Sequence, residues 1–189
     1  HQLHATGDLV VDGAPVGSFE LPARAEAILN AVQAAGLGPA IEPADHGLAP
    51  ILAVHDHDFV EFLRTARPEQ AGEQGAAVPL VPWTFANRHA ARRPQALRGL
   101  LGYYAFGWGS PIVEGTWQAA YWSAQCALTA ADLVRGGEQM AYALCRPPGH
   151  HAGPDLYGGY CYLNNAAAAA RSLRALGRVA ILDVDYHHG

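Results

Sequence analysis

From Pro22 to Leu37 the apolar positions Ala25, Ile28, Leu29, Val32 and Ala35 recur at three- and four-residue intervals, the spacing of one helix face, and Gly36 and Gly38 close the pattern. Leu52 to Val54 then reads as a short strand. Asp58 stands where a helix cap is wanted, ahead of a helix from Phe59 to about Ala66. Residues 68–82, rich in Gly, Ala, Glu and Gln, read as a loop. Helical periodicity returns from Thr116 to Val134 and stops at Gly136 and Gly137, and Met140 to Leu144 follows as a short apolar strand. Asn164 caps an Ala-rich helix predicted to end at Gly177. The run Val179-Ala180-Ile181-Leu182-Asp183-Val184 then has the continuous apolar character of a strand buried on both faces.

Strand, helix and buried strand in that order imply an α/β fold with a parallel sheet. In open parallel sheets ligands bind beyond the carboxyl ends of the strands, and the polar clusters at 146–151 and 183–188 lie just there. Between the two helical regions, residues 83–117 interleave Trp83, Phe85, Tyr103, Tyr104, Phe106, Trp108 and Trp117 with five glycines and an Arg cluster at Arg88 to Arg98. A surface loop rarely holds so many aromatics, so this segment reads as a shaped binding or contact loop.

Composition narrows the class. With 189 residues, 50% of them hydrophobic and 15% charged, the chain can bury a sizeable core, which excludes whole-chain disorder. A net charge of -5, with the Arg residues scattered except around Arg88 to Arg98, argues against nucleic-acid binding and suits a cationic substrate better. The three cysteines, Cys126, Cys145 and Cys161, form neither a disulfide framework nor a CxxC knuckle, so a reducing, cytoplasmic setting is expected. No apolar run reaches the roughly 18 residues needed to cross a bilayer, and no signal-peptide pattern opens the sequence.

The chemistry concentrates in two strings. Asp183, Asp185 and His187 alternate, so along an extended chain they face one side about 7 Å apart, and only side chains curling at a strand end could meet on one ion. Asp185 and His187 could then share a zinc at about 2 Å each, with at least one further ligand needed from elsewhere. The bland alternative is a set of caps and turn contacts, set against the cost of desolvating four ionisable groups at a strand terminus without an ion. His150 and His151, held behind Pro147, Pro148 and Gly149, are natural proton-transfer groups, because imidazole titrates near working pH. A pair of ordinary loop histidines is their alternative. Asp183 is the carboxylate available to orient them. His55-Asp56-His57-Asp58 resembles a metal cluster by residue type but precedes a helix, where Asp is a routine cap. Cys161 reads as a small buried residue, since no base can be assigned to it.

Three ordered motifs carry a resemblance: Arg146-Pro147-Pro148-Gly149-His150-His151-Ala152, Gly159-Tyr160-Cys161-Tyr162-Leu163-Asn164-Asn165, and Ile181-Leu182-Asp183-Val184-Asp185-Tyr186-His187-His188-Gly189. Together they resemble the zinc-dependent histone deacetylase family over roughly residues 20–189. Residues 110–117 and the Gly158-Gly159-Tyr160-Cys161 wording are most similar to its bacterial acetylpolyamine amidohydrolase branch.

The resemblance implies a three-layer α/β fold, with a central parallel sheet flanked by helices, the arginase/deacetylase fold, incomplete in this chain. Residues 1–189 would be the N-terminal portion of one deacetylase domain, with an aromatic and Arg-rich insertion loop at about 68–110. It further implies Asp185 and His187 as zinc ligands, His151 as general base and acid, and His150 as its companion paired with Asp183. Asp183 would also bind a structural potassium ion, and Gly159 and Tyr160 would line a narrow substrate tunnel, where an aromatic wall suits methylenes. The implied reaction is hydrolysis of an acetylated small amine to acetate and free amine by zinc-activated water. A homodimer through residues 83–109 is implied as well. The family's second Asp ligand and its carbonyl-stabilising Tyr would follow Gly189, so the 189 residues are expected to be part of a longer chain. The rival readings are an acetyl-lysine deacetylase acting on proteins, which an open rim would favour over an aromatic, acidic entrance, and a non-catalytic metal-binding relative. Arginase-like manganese enzymes need additional bridging Asp residues near the His motif, and the Asp-Val-Asp-Tyr-His-His wording fits the single-zinc branch better.

Overall fold

The computed structural model describes residues 2–7, 9–11, 14–68, 78–86 and 92–189. Along the chain run β1 (Leu9–Val11), β2 (Ala14–Val16), α1 (Pro22–Ala34), α2 (Ala49–Leu52), α3 (His57–Thr65), α4 (Leu97–Tyr104), α5 (Thr116–Arg135) and α6 (Asn165–Leu173), and a 3-10 turn, Arg174–Leu176, follows. The strands β1 and β2 pair antiparallel, with Leu9 opposite Val16 and Val11 opposite Ala14.

The helices largely follow their periodicity. Pro22 occupies the first turn of α1, where its missing N–H is no loss, and Gly36 at φ +63 follows the helix end. In α5 the buried positions Thr116, Ala119, Ala120, Ser123, Ala124, Ala127, Leu128 and Ala131 recur at three- and four-residue spacing and are small except for Leu128, and α6 packs against this helix. Asn164 caps α6, its side-chain oxygen accepting from the Ala167 N–H at 3.0 Å.

Three local expectations change. Residues 52–54 are not a strand. Pro50 fits the first turn of α2, and the Val54 and His55 N–H groups both close onto the Ile51 carbonyl. The cap position of α3 is Asp56 without a side-chain bond, while Asp58 lies in the first turn and accepts from the Tyr104 hydroxyl at 3.0 Å. The segment at 68–110 is not loop throughout, since α4 lies within it, and residues 69–77 and Arg88 fall outside the described residues.

The larger difference concerns the sheet. Among the described residues the only ladder is β1 with β2. Residues 140–144 and 179–184, read as parallel strands, form no ladder, and Leu182 is 87% exposed where burial on both faces was expected. A strand of that kind needs a hydrogen-bonded neighbour on each edge and a covering layer on each face, and no described strand supplies the edges.

The core lies under the site. Ile51, Phe59, Phe62, Leu63, Leu101, Tyr104, Ile112, Tyr157, Tyr162 and Leu163 form one buried cluster. Its rings interlock: Phe62 and Tyr104 stand 5.0 Å apart between centroids, Phe59 and Tyr104 5.3 Å, and Tyr157 and Tyr162 5.8 Å. Arg146 is buried with Glu20 at 2.8 Å and donates to the carbonyls of His4 at 2.7 Å and Glu20 at 3.2 Å, which fastens the N-terminal segment to the start of the histidine motif. His4 meets the Thr116 hydroxyl at 3.1 Å. Gly115 is required beside it, because any β-carbon there would run into the Leu3 carbonyl.

Candidate functional site

The histidine motif is set on α5 and α6. The Pro147 carbonyl accepts from the Ser123 hydroxyl at 2.8 Å and the Asn165 amide at 3.3 Å. Gly149 follows where the backbone passes so close to α6 that a β-carbon would stand 2.5 Å from the Leu163 carbonyl and 2.7 Å from the Asn165 N–H. A turn closed by the Ala152 N–H on the Gly149 carbonyl then presents His150 and His151, whose rings lie 4.0 Å apart between centroids.

His55 locks this turn from beneath. It is buried, its Nδ1 lies 2.8 Å from the Gly153 carbonyl, and its Nε2 accepts the Asn164 N–H at 2.9 Å. Those partners assign the Nδ1–H tautomer, and burial holds the imidazole below its ordinary pKa. Within His55-Asp56-His57-Asp58 the histidine therefore works as a strut between two loops.

Gly159 and Tyr160 form the floor. Gly159 adopts φ +54 and carries the His151 ring directly above it, so a β-carbon there would collide with that ring. Tyr160 also lies in the left-handed region, at φ 67, and its N–H donates to the Ser110 hydroxyl at 2.7 Å, which holds the strained residue in place. Cys161 is buried, and burial pushes its thiol pKa up to about 12, which suits a packing residue and not a nucleophile.

The second string meets the first. Asp183 Oδ2 accepts from His150 Nδ1 at 2.9 Å, while its Oδ1 accepts the Asp185 N–H at 3.0 Å. Asp185 Oδ1 accepts the His187 N–H at 2.8 Å and lies 3.3 Å from His187 Nδ1. Successive turns of this kind curl the side chains together where a straight strand would hold them apart. Both carboxyls are lowered from their ordinary values, Asp183 by the Asp185 N–H and then His150, Asp185 chiefly by the His187 N–H. His151 is also lowered, first by desolvation and then by His150 and His187, while Asp185 and the His188 backbone act the other way. Its ring stands 6.2 Å from that of His187. Gly189 closes the cluster, since a β-carbon there would meet Asp183 Oδ2 and His150 Nδ1.

The donor set fits zinc in part. Two ligands at about 2.0–2.1 Å from one tetrahedral ion lie about 3.3 Å from each other, and Asp185 Oδ1 and His187 Nδ1 have that separation, 3.3 Å. They are one carboxylate oxygen and one imidazole nitrogen, two ligands out of at least three. No group of three candidate metal-binding side chains occurs among the described residues.

The structure thus brings together His150, His151, Gly159, Asp183, Asp185 and His187, and places Tyr160 next to them through its backbone beside Gly159. Sequence reasoning missed His55 as a strut, Ser110 as the acceptor for Tyr160, Gly189 at the dyad, and Phe106, whose ring meets His151 edge-on at 6.1 Å. Phe106 stood in the aromatic run of residues 83–117, but its spacing there singled it out no more than its neighbours.

The overall structure is that of the arginase/deacetylase fold. An acetylpolyamine aminohydrolase from Burkholderia pseudomallei superposes with a TM-score of 0.83 at 42% sequence identity, over 92% of this chain and 50% of that one. The HD domain of HDA15 superposes with a TM-score of 0.57 at 26% identity, over 90% of this chain and 40% of that one. The sequence matches the histone deacetylase domain over residues 18–189, and the chain belongs to that family. It is 50% identical to acetylpolyamine amidohydrolase 1 of Pseudomonas aeruginosa and 45% identical to an acetylpolyamine amidohydrolase of Mycoplana ramosa, in both cases over 100% of this chain and 56% of the relative. The chain spans about half the length of the curated relatives it matches. Among the described residues no helix is long and apolar enough to cross a membrane.

Proposed function

We propose that the protein carrying these residues is a metal-dependent amidohydrolase that removes acetyl groups from acetylated polyamines or similar small amines. The observation that carries this reading is the meeting of the His150–Asp183 pair with the facing donor atoms of Asp185 and His187. The names of the relatives supply the substrate class.

Asp185 and His187 would hold zinc, which when bound supplies Lewis-acid polarisation of the amide carbonyl and a more acidic water. His151, lowered by burial and by its two histidine neighbours, is kept neutral at neutral pH and able to take a proton from the attacking water. Asp183 holds the proton of His150 on Nδ1 at 2.9 Å and fixes that ring beside His151. The water oxygen bonds to the carbonyl carbon, the C–N bond breaks, and the histidine pair delivers the proton to the leaving amine, giving acetate and free amine.

The same reading takes residues 1–189 as part of one deacetylase domain, with segments 140–144 and 179–184 contributing strands to a central parallel sheet. It places a structural potassium at Asp183, whose carboxylate has lone pairs beyond its two hydrogen bonds. It pairs two copies through residues 83–109, supported by the exposed rings of Trp83, Phe85 and Trp108. The three free cysteines support a reducing, cytoplasmic setting.

The test is acetate release by the intact protein from a monoacetylated diamine, beside an acetyl-lysine peptide, with and without a chelator. The reading predicts chelator-sensitive release with preference for the diamine. Preference for the peptide would move the substrate to protein lysines, and no release from either would overturn the enzymatic reading.

A further inference from the structure

We propose that Phe106 is a specificity-determining wall of the substrate channel, contacting the alkyl chain of the acylated amine beside His151; this rests on the proton-transfer role read for His150 and His151. The backbone here is fixed. The Phe106 N–H donates to the Tyr157 carbonyl at 3.1 Å, the Tyr157 N–H donates to the Tyr104 carbonyl at 2.8 Å, and Ala105 bridges Tyr157 in parallel. The ring lies on Gly158, where a β-carbon would stand 2.5 Å from Phe106 Cε1 and Cζ, just as the His151 ring lies on Gly159. Adjacent glycines therefore seat two rings side by side, the phenyl meeting the imidazole at 6.1 Å and 77°.

Burial separates this residue from a structural aromatic. Tyr104 and Tyr157, on the same two segments, are 1% and 0% exposed, whereas Phe106 is 47% exposed. A ring with an immobile backbone, one edge on the imidazole and nearly half its surface open offers an apolar contact to whatever reaches His151. The ligand chemistry it fits is a run of methylenes, with the π-face also favourable to an ammonium group further along the chain.

The experiment compares the intact wild-type protein with Phe106→Ala and Phe106→Leu, using monoacetylated diamines with three, four and five methylenes and N-methylacetamide as the probe without a chain. For Phe106→Ala the account predicts a KM about tenfold higher for the diamines, the order expected for lost aromatic and cation–π contact. It predicts kcat within about threefold, an unshifted pH profile, and little change with N-methylacetamide. Phe106→Leu, which keeps apolar bulk, should fall between the two and carries the test if the alanine variant does not fold. An equal loss of kcat on every probe with a shifted pH profile would mean that Phe106 only supports His151. Unchanged KM for the diamines would likewise overturn the proposal. Absence of acetate release by the wild-type protein would instead sink the underlying reading of the site.

Discussion

The two halves of the site stand within hydrogen-bonding distance of each other but are held by opposite means. His150 and His151 sit on a turn fixed by the buried Ser123 and Asn165 above, the buried His55 beneath and two glycine contacts. Asp183, Asp185 and His187 depend on short-range bonds to backbone N–H groups two residues onward, and their side chains are between 41% and 72% exposed. The half proposed to move protons is thus pre-organised by tertiary structure. The half proposed to hold the metal has the local turn but, among the described residues, no surrounding sheet, and its long-range side-chain contacts run to His150, from Asp183 at 2.9 Å and Asp185 at 4.0 Å.

That contrast predicts different consequences for equivalent substitutions. His151→Ala should lower kcat/KM about 10²–10⁴-fold, the range for a general acid–base group, with unfolding temperature little changed. Steady-state assays of the intact protein read this directly, and a loss below tenfold would remove His151 from the chemistry. His55→Ala should instead act on stability. It leaves the Asn164 N–H and the Gly153 carbonyl without their partner in a buried setting, which costs about 2–4 kcal/mol in urea unfolding.

The buried framework should also be the acid-sensitive part. Burial and then Arg146 lower the His4 pKa from 6.5 to about 4. Between those values the unfolded chain binds the extra proton, so stability is complete above pH 6.5 and falls as pH drops toward 4, by about 3 kcal/mol in all. His4→Gln should flatten that slope, measured as unfolding free energy between pH 7 and 4. The smallest expected effect lies at the junction of the halves: Asp183→Asn should cost about 10–100-fold in activity, the usual scale for a residue that orients another, without a matching loss of stability.

The parts of this arrangement written in the sequence are those with local causes. Pro22, Gly36, Asn164 and the small-residue face of α5 each act within a few residues, and each element appeared where its pattern placed it. The β1–β2 pairing was not read from the sequence, because apolar runs of three residues are too short to show a period. The misreading at 52–54 arose because three apolar residues have no distinguishing period, and Pro50 decided the matter in favour of a helical turn. His55 and Phe106 were illegible for another reason. Their partners are about 100 and 50 residues away in sequence, and nothing in a local pattern says which loop a buried imidazole will brace. The pairing of Asp183 with His150 was legible because both strings are rich in ionisable groups and follow apolar runs.

The most direct test of the central claim is the zinc content of the intact protein, measured by elemental analysis together with acetate release, for the wild type and for Asp185→Ala and His187→Ala. The account predicts one zinc per chain in the wild type, and loss of both zinc and activity in each variant. Full zinc occupancy and undiminished acetate release in the variants would contradict it.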